Sequence, residues 1–337
     1  MDYLTASQSK NTILVLGSGS WGSALGIHLA KIHKTVYLWG RNTQAIRQIQ
    51  QTGINEKYLP NIKLPSNLIA VDDYTDIIQS IDHILIAVPS HGFGELLINI
   101  KPYLKTQSIL WATKGLCCQS HRLLSDIAKE VLPKTINYGI ITGPSFAKEV
   151  AQELPTAIVI ASENQAFAKE MQNFWNSHYF RVYISSDLIG AQIGGAVKNA
   201  LAIAVGISDG LGFGSNAKAA LITRGLVEIT RLGKKLGAED ETLSGLSCLG
   251  DLILTCTDDQ SRNRRFGLML GQGYTKDQAL EKIGQVVEGI ITSQAIMALS
   301  EKYDVEMPIV KETYDVLYHH KKAKDAVIHL MQRKLRN

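Results

Sequence analysis

A glycine-rich turn between an apolar run and a helical pattern constrains the fold of this chain more than any other feature. Residues Thr12–Leu16 (TILVL) form an uninterrupted apolar run, typical of a strand buried on both faces of a parallel sheet. Gly17, Gly19 and Gly22 follow in the spacing GxGxxG, and the helical pattern SALGIHLAKI comes next. In a dinucleotide site one glycine makes the tight turn, another lets the backbone approach the pyrophosphate and the last lets helix pack on strand. The pattern therefore predicts nucleotide binding, against the alternative of a purely structural glycine turn.

Apolar runs continue to alternate with helical patterns through the first half of the chain. Such alternation is typical of an α/β Rossmann-type domain with a parallel sheet. From Asp187 onward helical periodicity takes over, and the chain of 337 residues is long enough for two domains. We predict an α/β Rossmann-type domain over 1–187 and an all-α C-terminal domain over 188–337, closely packed because no Pro/Ser-rich linker separates them. The predicted strands after the first are Thr35–Trp39, Leu68–Val71, His83–Val88, Ser108–Ala112, Tyr138–Thr142, Thr156–Ala161 and Phe180–Ser185.

The end of the second predicted strand bears on the choice of dinucleotide. Sites that prefer NAD carry an acid about 20 residues beyond the glycines, whereas an arginine nearby accommodates the 2′-phosphate of NADP. Here the strand ends in Gly40-Arg41-Asn42, without an acid. We expect NADP(H) to be accepted, with Arg41 pairing its 2′-phosphate. The alternative is an exposed arginine at the start of a helix.

Three consecutive predicted strands end in small polar or cationic residues. They lead into Pro89-Ser90-His91, Thr113-Lys114-Gly115 and Gly143-Pro144-Ser145. Ligands of parallel sheets bind beyond the carboxyl ends of the strands, so these residues should share one rim. Lys114 is a candidate to hold a substrate phosphate or carbonyl oxygen, the alternative being a solvated loop lysine. Ser145 is predicted to cap the helical pattern SFAKEVAQE, leaving backbone amides free for an anion.

The stretch from Leu188 to Gly233 contains two long, small-residue helical patterns joined by a glycine-rich turn. Lys198 stands alone in the first pattern among Gly, Ala, Val, Ile and Leu. An isolated ammonium is unfavourable in an apolar interior unless it is paired or loses its proton, and burial lowers the pKa of a lysine toward the range useful for proton transfer. Lys198 is therefore the candidate catalytic residue. The alternative is a lysine that extends its amine to solvent at a helix edge.

Two later segments also carry candidate site residues. Asp251 places a carboxylate in the apolar run SCLGDLILTC, where it could pair with a lysine; the alternative is an exposed or capping acid. Ser261-Arg262-Asn263 opens the helical pattern RNRRFGLMLGQG, so that a hydroxyl, a guanidinium and helix amides converge in a form suited to a phosphate. The alternative there is an ordinary basic helix start. The segment Val286-Val287-Glu288-Gly289 does not by itself indicate a function.

Composition excludes several classes of protein. The formal net charge of +4, with no Lys/Arg-rich arm, argues against nucleic-acid binding. No uncharged apolar run reaches the length of about 18 residues of a membrane span, and the first ten residues lack the apolar segment of a signal peptide. Cys117, Cys118, Cys248 and Cys256 include no CxxC and have no His-rich tract beside them, which predicts reduced thiols in a cytoplasmic protein and no metal site.

Taken together, these segments resemble the bacterial NAD(P)-dependent glycerol-3-phosphate dehydrogenases over essentially the whole chain. The resemblance implies reversible reduction of dihydroxyacetone phosphate to sn-glycerol 3-phosphate with NADPH or NADH, which feeds phospholipid synthesis. It also implies a cytoplasmic homodimer. The matching segments are GSGSWGSALG, ATKGL, GPSFAKEV, GAVKNALAIAVGISDGLGFGSNAKAALITRGLVEI, LGDLILTCTDDQSRNRRFG and VVEG.

The resemblance also assigns roles to single residues. Lys198 matches the proton acceptor, and Asn199 beside it is expected to help bind the substrate and orient that amine. The residues that match substrate contacts are Lys114, Gly143, Ser145, Asp251, Ser261, Arg262 and Asn263. The residues that match cofactor contacts are Ser20, Trp21, Arg41, Lys114, Ala147, Arg262, Val286 and Glu288.

Two other functions remain possible on the sequence. A reductase of the hydroxyacid or ketopantoate type would share the fold, but some of those relatives place an asparagine one helical turn after the catalytic lysine, where this chain has Ala202. A non-catalytic nicotinamide sensor would be expected to lose Lys198, Asp251 and Arg262, and all three are present.

Overall fold

A computed structural model describes residues 12–117 and 119–333. Within these residues eight strands form one sheet in the order β3-β2-β1-β4-β5-β6-β7-β8. The strands are β1 (Thr12–Leu16), β2 (Thr35–Trp39), β3 (Leu68–Val71), β4 (His83–Ile86), β5 (Ser108–Trp111), β6 (Tyr138–Thr142), β7 (Thr156–Ala161) and β8 (Phe180–Ser185). The order, with β1 in the middle and crossovers on both sides, is that of a Rossmann-type sheet.

Helices cover this sheet and predominate after its last strand. Six helices lie among the strands: α1 (Ser20–Ile32), α2 (Thr43–Thr52), α3 (Ser90–Ile100), α4 (Leu124–Val131), α5 (Ala147–Ala151) and α6 (Gln165–Trp175). Nine follow the last strand: α7 (Leu188–Gly210), α8 (Gly214–Leu236), α9 (Asp240–Ser244), α10 (Asp251–Thr257), α11 (Arg262–Gly271), α12 (Lys276–Ile283), α13 (Glu288–Lys302), α14 (Pro308–Tyr318) and α15 (Ala323–Met331). Short 3₁₀ segments occur at Ile78–Ser80 and Lys101–Tyr103, and a π-helical turn at Leu246–Gly250 leads into α10. The predicted fold, a Rossmann-type sheet followed by a mostly helical region, is confirmed.

Most of the sheet is parallel, as the sequence predicts, but its last two strands run the other way. The six strands β1 to β6 are mutually parallel, β7 pairs antiparallel with β6, and β8 is parallel to β7. The carboxyl ends of β4, β5 and β6 therefore lie at one edge, while those of β7 and β8 lie at the opposite edge. This places the residues after β4, β5 and β6 on one rim.

Burial on both faces explains why the strands read as unbroken apolar runs. In β1, Ile13 and Val15 belong to one core cluster, whereas Leu14 and Leu16 belong to another on the opposite face. All four are at most 1% exposed. Successive side chains of a strand point to opposite faces, so a sheet covered on both sides needs an apolar residue at every position.

Helix α7 connects the two halves of the chain because it contributes to both cores. Leu188 and Ala191 in its first turns pack into the core on one face of the sheet, while Ile193 and later residues pack into the core of the helical region. Gln192 adds polar contacts to the start of α4: its Oε1 accepts from the backbone N of Ser125 at 3.0 Å and its Nε2 donates to Oγ of Ser125 at 2.9 Å. The first two turns of α7 are therefore anchored to the sheet domain.

Small residues let α7 pack closely against α11. A Cβ built on Gly206 would lie 2.1 Å from the carbonyl oxygen of Arg264, and one on Gly210 would lie 2.2 Å from that of Leu268. The contact is reciprocal, since a Cβ on Gly267 of α11 would lie 2.1 Å from the carbonyl oxygen of Ile203. Backbone-to-backbone contact of this kind explains why the stretch around Lys198 is rich in glycine and alanine.

By length and composition α7 could cross a membrane, with a mean hydropathy of 1.5 over its best 18-residue window. However, 89% of that window is buried inside the protein. Its apolar character is that of a core helix.

Glu228 of α8 holds the start of α14. Its carboxyl oxygens accept hydrogen bonds from the backbone N of Ile309 at 2.7 Å and of Val310 at 3.2 Å. These are two of the amides that the first turn of a helix leaves without an intrahelical partner. Glu228 is only 2% exposed, and burial raises its pKa to about 7 although the two hydrogen bonds act in the opposite direction.

We expect Glu228→Gln to remove a pH-dependent part of the free energy of unfolding. Because folding raises the pKa of Glu228 from 4.5 to about 7, its stabilising contribution is complete below pH 4.5 and is lost as the pH rises through 7. Urea unfolding of both proteins gives the free energy of unfolding of the wild type minus that of the variant. This difference should fall by about 3 kcal/mol from acidic pH to about pH 8. Glu301→Gln, at an exposed glutamate, is the control. A constant difference across this range would contradict the prediction.

Candidate active site

The glycine turn between β1 and α1 is built as the sequence predicts. Gly17 has φ +129°, and a Cβ there would lie 2.5 Å from the carbonyl oxygen of Ala87; a Cβ on Gly22 would lie 1.9 Å from the carbonyl oxygen of Gly17. These two glycines are needed for packing within the protein. A Cβ on Gly19, in contrast, would meet nothing within 4 Å, so one side of the turn is open at the N-terminus of α1. An open cradle at a helix N-terminus suits the pyrophosphate of a dinucleotide.

Trp21 and Lys114 line this turn on the side of the rim. The amine of Lys114 lies 5.9 Å from the centre of the Trp21 ring. Nε1 of Trp21 is buried and has no hydrogen-bond partner among the described residues. A buried donor without a partner is unfavourable, and a bound polar ligand would satisfy it. This observation fits a cofactor in the turn.

Arg41 follows β2 and Gly40 and is exposed. Among the residues that the structure describes, it forms no hydrogen bond or ion pair, while the neighbouring Asn42 caps α2 by accepting from the backbone N of Ala45 at 3.0 Å. The guanidinium is therefore free to meet an anionic group at the end of β2.

Lys198, Asp251 and Lys114 form the centre of the site. The carboxylate of Asp251 is shared between two ammonium groups: Oδ1 pairs with Lys198, and Oδ2 lies 3.1 Å from Nζ of Lys114. Lys198 and Asp251 are 4% and 1% exposed, so the pair lies in the interior, as the isolated position of Lys198 in an apolar helix predicts. Lys114 arrives from the rim of the sheet. It therefore links the glycine turn to the helical region.

Burial governs the proton affinity of Lys198. Loss of hydration lowers the pKa of its amine well below the usual 10.5, and the positive charge of Lys114 acts in the same direction. The carboxylate of Asp251 opposes this shift. An amine with a depressed pKa beside a carboxylate can donate a proton and take it back near neutral pH.

A second network connects α7, α11 and α13. Nδ2 of Asn263 donates to Oδ1 of Asn199 at 2.9 Å, and its own Oδ1 accepts from the backbone N of Gly289 at 2.9 Å. Both asparagines are buried. Asn199 also donates to the carbonyl oxygen of Gly195 at 3.4 Å, and it makes no hydrogen bond to Lys198. Adjacent residues of a helix point in different directions, so Asn199 contacts α11 and does not orient the amine of Lys198, contrary to the expectation from the sequence.

The start of α11 lies beside this network. Ser261 caps the helix, its Oγ accepting from the backbone N of Arg264 at 3.2 Å. Nη1 of Arg262 lies 3.3 Å from Oε1 of Gln285, in the segment before α13. The hydroxyl of Ser261 therefore caps the N-terminus of α11, and the guanidinium of Arg262 contacts the segment before α13. Such an arrangement is well suited to a phosphate.

Glu288 and Val286 border the same region. Glu288 begins α13 and is half-buried. Burial raises its pKa, although the positive charges of Arg262, Lys114 and Lys198 act against that shift. Val286 is 48% exposed. Gly143 and Ala147 lie on the rim after β6, where Ala147 begins α5.

Besides the expected contact of Asn199 with Lys198, one further predicted feature of the site is wrong, and the sequence analysis does not include one residue of the site. Ser145 does not cap α5, because the helix begins at Ala147 and its N-cap is Phe146, one residue later than the sequence pattern suggests; the hydroxyl of Ser145 donates instead to the carbonyl oxygen of Gly143 at 3.0 Å. The missed residue is Thr255, whose Oγ accepts from Nζ of Lys198 at 3.1 Å and donates to the backbone oxygen of Asp251 at 2.6 Å. Its separation of four residues from Asp251, one helical turn, could have indicated it.

The cysteines lie outside this chemistry. Cys117, Cys248 and Cys256 are free thiols, and Cys118 lies outside the described residues. Burial raises the pKa of Cys248 and of Cys256 to about 12, which keeps these thiols protonated. The described part of the chain contains no group of three or more His, Cys, Asp or Glu side chains able to hold a metal ion.

A Rossmann-type domain whose strand ends meet a buried lysine and its carboxylate on a helical domain defines an NAD(P)-dependent dehydrogenase. Comparison with known sequences identifies the family. Two family models match. The model described as NAD-dependent glycerol-3-phosphate dehydrogenase N-terminus matches residues 12–168, and the model described as NAD-dependent glycerol-3-phosphate dehydrogenase C-terminus matches residues 187–328. The chain belongs to the NAD-dependent glycerol-3-phosphate dehydrogenase family.

Individual relatives align with this protein along nearly its whole chain. A protein of Francisella tularensis subsp. novicida named glycerol-3-phosphate dehydrogenase, NAD(P)+, is 51% identical over 330 residues, which cover 97% of this chain and 99% of the relative. One of the same name from Serratia proteamaculans is 48% identical over 324 residues, covering 96% of each chain. The crystal structure of glycerol-3-phosphate dehydrogenase from Coxiella burnetii superposes with a TM-score of 0.93 at 44% identity and covers 96% of this chain and 99% of its own.

Proposed function

We propose that this enzyme catalyses the reversible reduction of dihydroxyacetone phosphate to sn-glycerol 3-phosphate with NADPH or NADH. The observation that carries the proposal is the Asp251 carboxylate shared by Lys198 and Lys114 at the rim of the dinucleotide domain. The names of relatives that are about half identical over nearly the full chain support the substrate. The reaction would supply the glycerol phosphate unit of phospholipids.

Lys198 is the residue proposed to transfer the proton. When bound, the dinucleotide would supply hydride to the carbonyl carbon. The carbonyl oxygen of the substrate would then require charge stabilisation and a proton. Lys198 as ammonium provides both during reduction, and as neutral amine it accepts the proton during oxidation. Asp251 holds the amine in place together with Thr255, and Lys114 adds a positive charge beside it.

Other residues position the two reactants. Ser261, Arg262 and Asn263 are proposed to bind the phosphate at the start of α11, with Asn199 behind them. Gly143 and Ser145 are proposed to contact the substrate from the rim. The residues proposed to hold the dinucleotide are Gly17, Gly19, Ser20, Trp21, Gly22, Arg41, Lys114, Ala147, Arg262, Val286 and Glu288.

A spectrophotometric assay tests the proposal. Purified enzyme with NADPH and dihydroxyacetone phosphate should show loss of the NADPH absorbance band, and the same enzyme with ketopantoate should not. Turnover of a 2-ketoacid in place of the phosphorylated ketone would favour the hydroxyacid-type reductase. Binding of NADPH without turnover of either substrate would favour a nicotinamide sensor.

Arg41 is proposed to select for the 2′-phosphate of NADPH. We expect Arg41→Ala to raise the KM for NADPH about tenfold, because a charge-assisted hydrogen bond to a phosphate is lost, and to leave the KM for NADH unchanged. Arg47→Ala is the matched control, since Arg47 is an exposed arginine of the adjacent helix that pairs with Asp72 at 3.2 Å. An equal increase in the KM for NADPH and the KM for NADH in Arg41→Ala would contradict the proposed role of Arg41.

We also propose the division into a dinucleotide domain (1–187) and a helical catalytic domain (188–337), a cytoplasmic location and a homodimer. The last strand ends at Ser185 and α7 begins at Leu188, which supports the division. Gel filtration with light scattering would test the dimer.

A further inference from the structure

Asn55 lies behind the glycine turn and is not among the residues assigned to the site above. It follows α2 in the chain and is 4% exposed. Its Nδ2 donates two hydrogen bonds, to the carbonyl oxygen of Ser18 at 2.8 Å and to Oγ of Ser23 at 2.9 Å. Oγ of Ser23 in turn donates to the same carbonyl oxygen at 3.3 Å. Two side chains thus converge on one carbonyl group of the turn.

The orientation of that carbonyl fixes the orientation of the next amide. In a trans peptide the C=O and N–H bonds of one plane point in opposite directions. Donors that hold the oxygen of Ser18 toward Asn55 therefore hold the N–H of Gly19 toward the other side. Gly19 has no Cβ to resist rotation of this plane, and the space beside it is open.

We propose that Asn55 is a positioning residue that keeps the Ser18–Gly19 peptide oriented for binding the dinucleotide pyrophosphate. Without its two donated bonds the peptide can rotate, which would turn a carbonyl oxygen toward the anion and remove one backbone donor. The inference rests on the dinucleotide binding of the proposed function, and it is independent of the ketone substrate.

Other contacts hold the loop that carries Asn55, so its side chain is not required to anchor that segment. The backbone oxygen of Asn55 accepts from the amides of Tyr58 at 3.1 Å and Leu59 at 2.8 Å. Leu59 is 3% exposed in the core, and Ile54 pairs with Lys63 in an isolated bridge. A change confined to the amide group of Asn55 should therefore act mainly on the turn.

The test compares two substitutions at Asn55 with one matched control. Asn55→Asp and Asn55→Leu each remove the donors at nearly constant volume, one with and one without a charge. The control is Asn67→Asp, because Nδ2 of Asn67 likewise donates to two carbonyl oxygens, of Ala30 at 2.6 Å and His33 at 2.8 Å, but at the far end of α1. Thermal unfolding of all proteins reports whether each variant folds.

Dissociation constants are measured without substrate, from the fluorescence change of NADPH on binding. Both Asn55 variants should bind NADPH about tenfold more weakly, whereas Asn67→Asp should bind it as the wild type does. Adenosine 2′-monophosphate, which lacks the pyrophosphate, should compete equally well against NADPH on all folded proteins after correction for NADPH affinity. The kcat at saturating NADPH should change by less than about twofold.

Wild-type affinity for NADPH in either folded Asn55 variant would overturn the inference, as would an equal loss of affinity for adenosine 2′-monophosphate. A wild-type enzyme that binds no dinucleotide would instead overturn the proposed function itself. A wild-type enzyme that binds NADPH but does not turn over dihydroxyacetone phosphate would refute only the substrate, and the Asn55 comparison would still decide the inference.

Discussion

Lys198→Ala is expected to lower the kcat for reduction of dihydroxyacetone phosphate by about 10³- to 10⁴-fold and to leave the dissociation constant of NADPH within about twofold. General acid catalysis by a positioned group contributes about 10²- to 10⁴-fold, and the ammonium also stabilises the developing alkoxide. The amine lies in the interior on Asp251 and Thr255, not in the glycine turn. Steady-state kinetics and fluorescence titration of NADPH measure the two quantities separately.

The pH dependence of the wild-type enzyme provides a second readout of Lys198. Oxidation of glycerol 3-phosphate requires the neutral amine, so its kcat should rise with pH through the pKa of Lys198; reduction requires the ammonium, so its kcat should fall over the same range. Because burial lowers that pKa, both the rise in kcat for oxidation and the fall in kcat for reduction should occur well below pH 10.5. Lys218→Ala is the control, since Lys218 is also ion-paired, with Asp209 at 2.9 Å. A kcat of Lys198→Ala within tenfold of the wild-type value would refute the catalytic role.

Asp251→Asn is expected to lower kcat/KM by about 10²- to 10³-fold. The substitution keeps the size of the side chain but removes the counter-ion of both Lys198 and Lys114, so neither amine is held in its place for the substrate. Without the carboxylate the pKa of Lys198 falls further. The rise of kcat for oxidation with pH should therefore move to lower pH. Loss of one partner of a buried ion pair should also reduce the free energy of unfolding by about 3 kcal/mol.

Asp209→Asn separates the chemical effect from the loss of stability. Asp209 also bridges two cations, with Oδ2 at 2.5 Å from Nη2 of Arg264 and 2.9 Å from Nζ of Lys218. We expect this control to lose stability to a similar extent but to retain the wild-type pH profile. If Asp251→Asn also retains the wild-type pH profile, then Asp251 does not tune Lys198.

The sequence predicts those features that follow from local periodicity and from the isolation of a charge. The strand boundaries agree within two residues because strands buried on both faces are continuous apolar runs. Lys198 is recognisable because it is the one cation in a helix whose other side chains are almost all apolar or small. Its partner Asp251 stands out for the same reason.

Features that depend on tertiary contacts could not be predicted in this way. The reversed direction of β7 and β8 leaves no mark in the apolar pattern, which is the same for parallel and antiparallel strands buried on both faces. Asn55 lies in a polar loop, and only the fold shows that its side chain reaches back to Ser18. The predicted start of α5 is one residue too early because serine is a good capping residue, but the hydroxyl of Ser145 bonds to the carbonyl oxygen of Gly143 instead.

Because the first turns of α7 complete the core under the sheet and the remainder completes the core of the helical half, the two halves cannot diverge independently. An exchange of helical halves between related enzymes would bring a foreign Leu188, Ala191 and Gln192 against the resident α4 and β6. Recombination would therefore succeed only between parents matched at that contact, or with a junction placed inside the helix, beyond Gln192 and before Lys198.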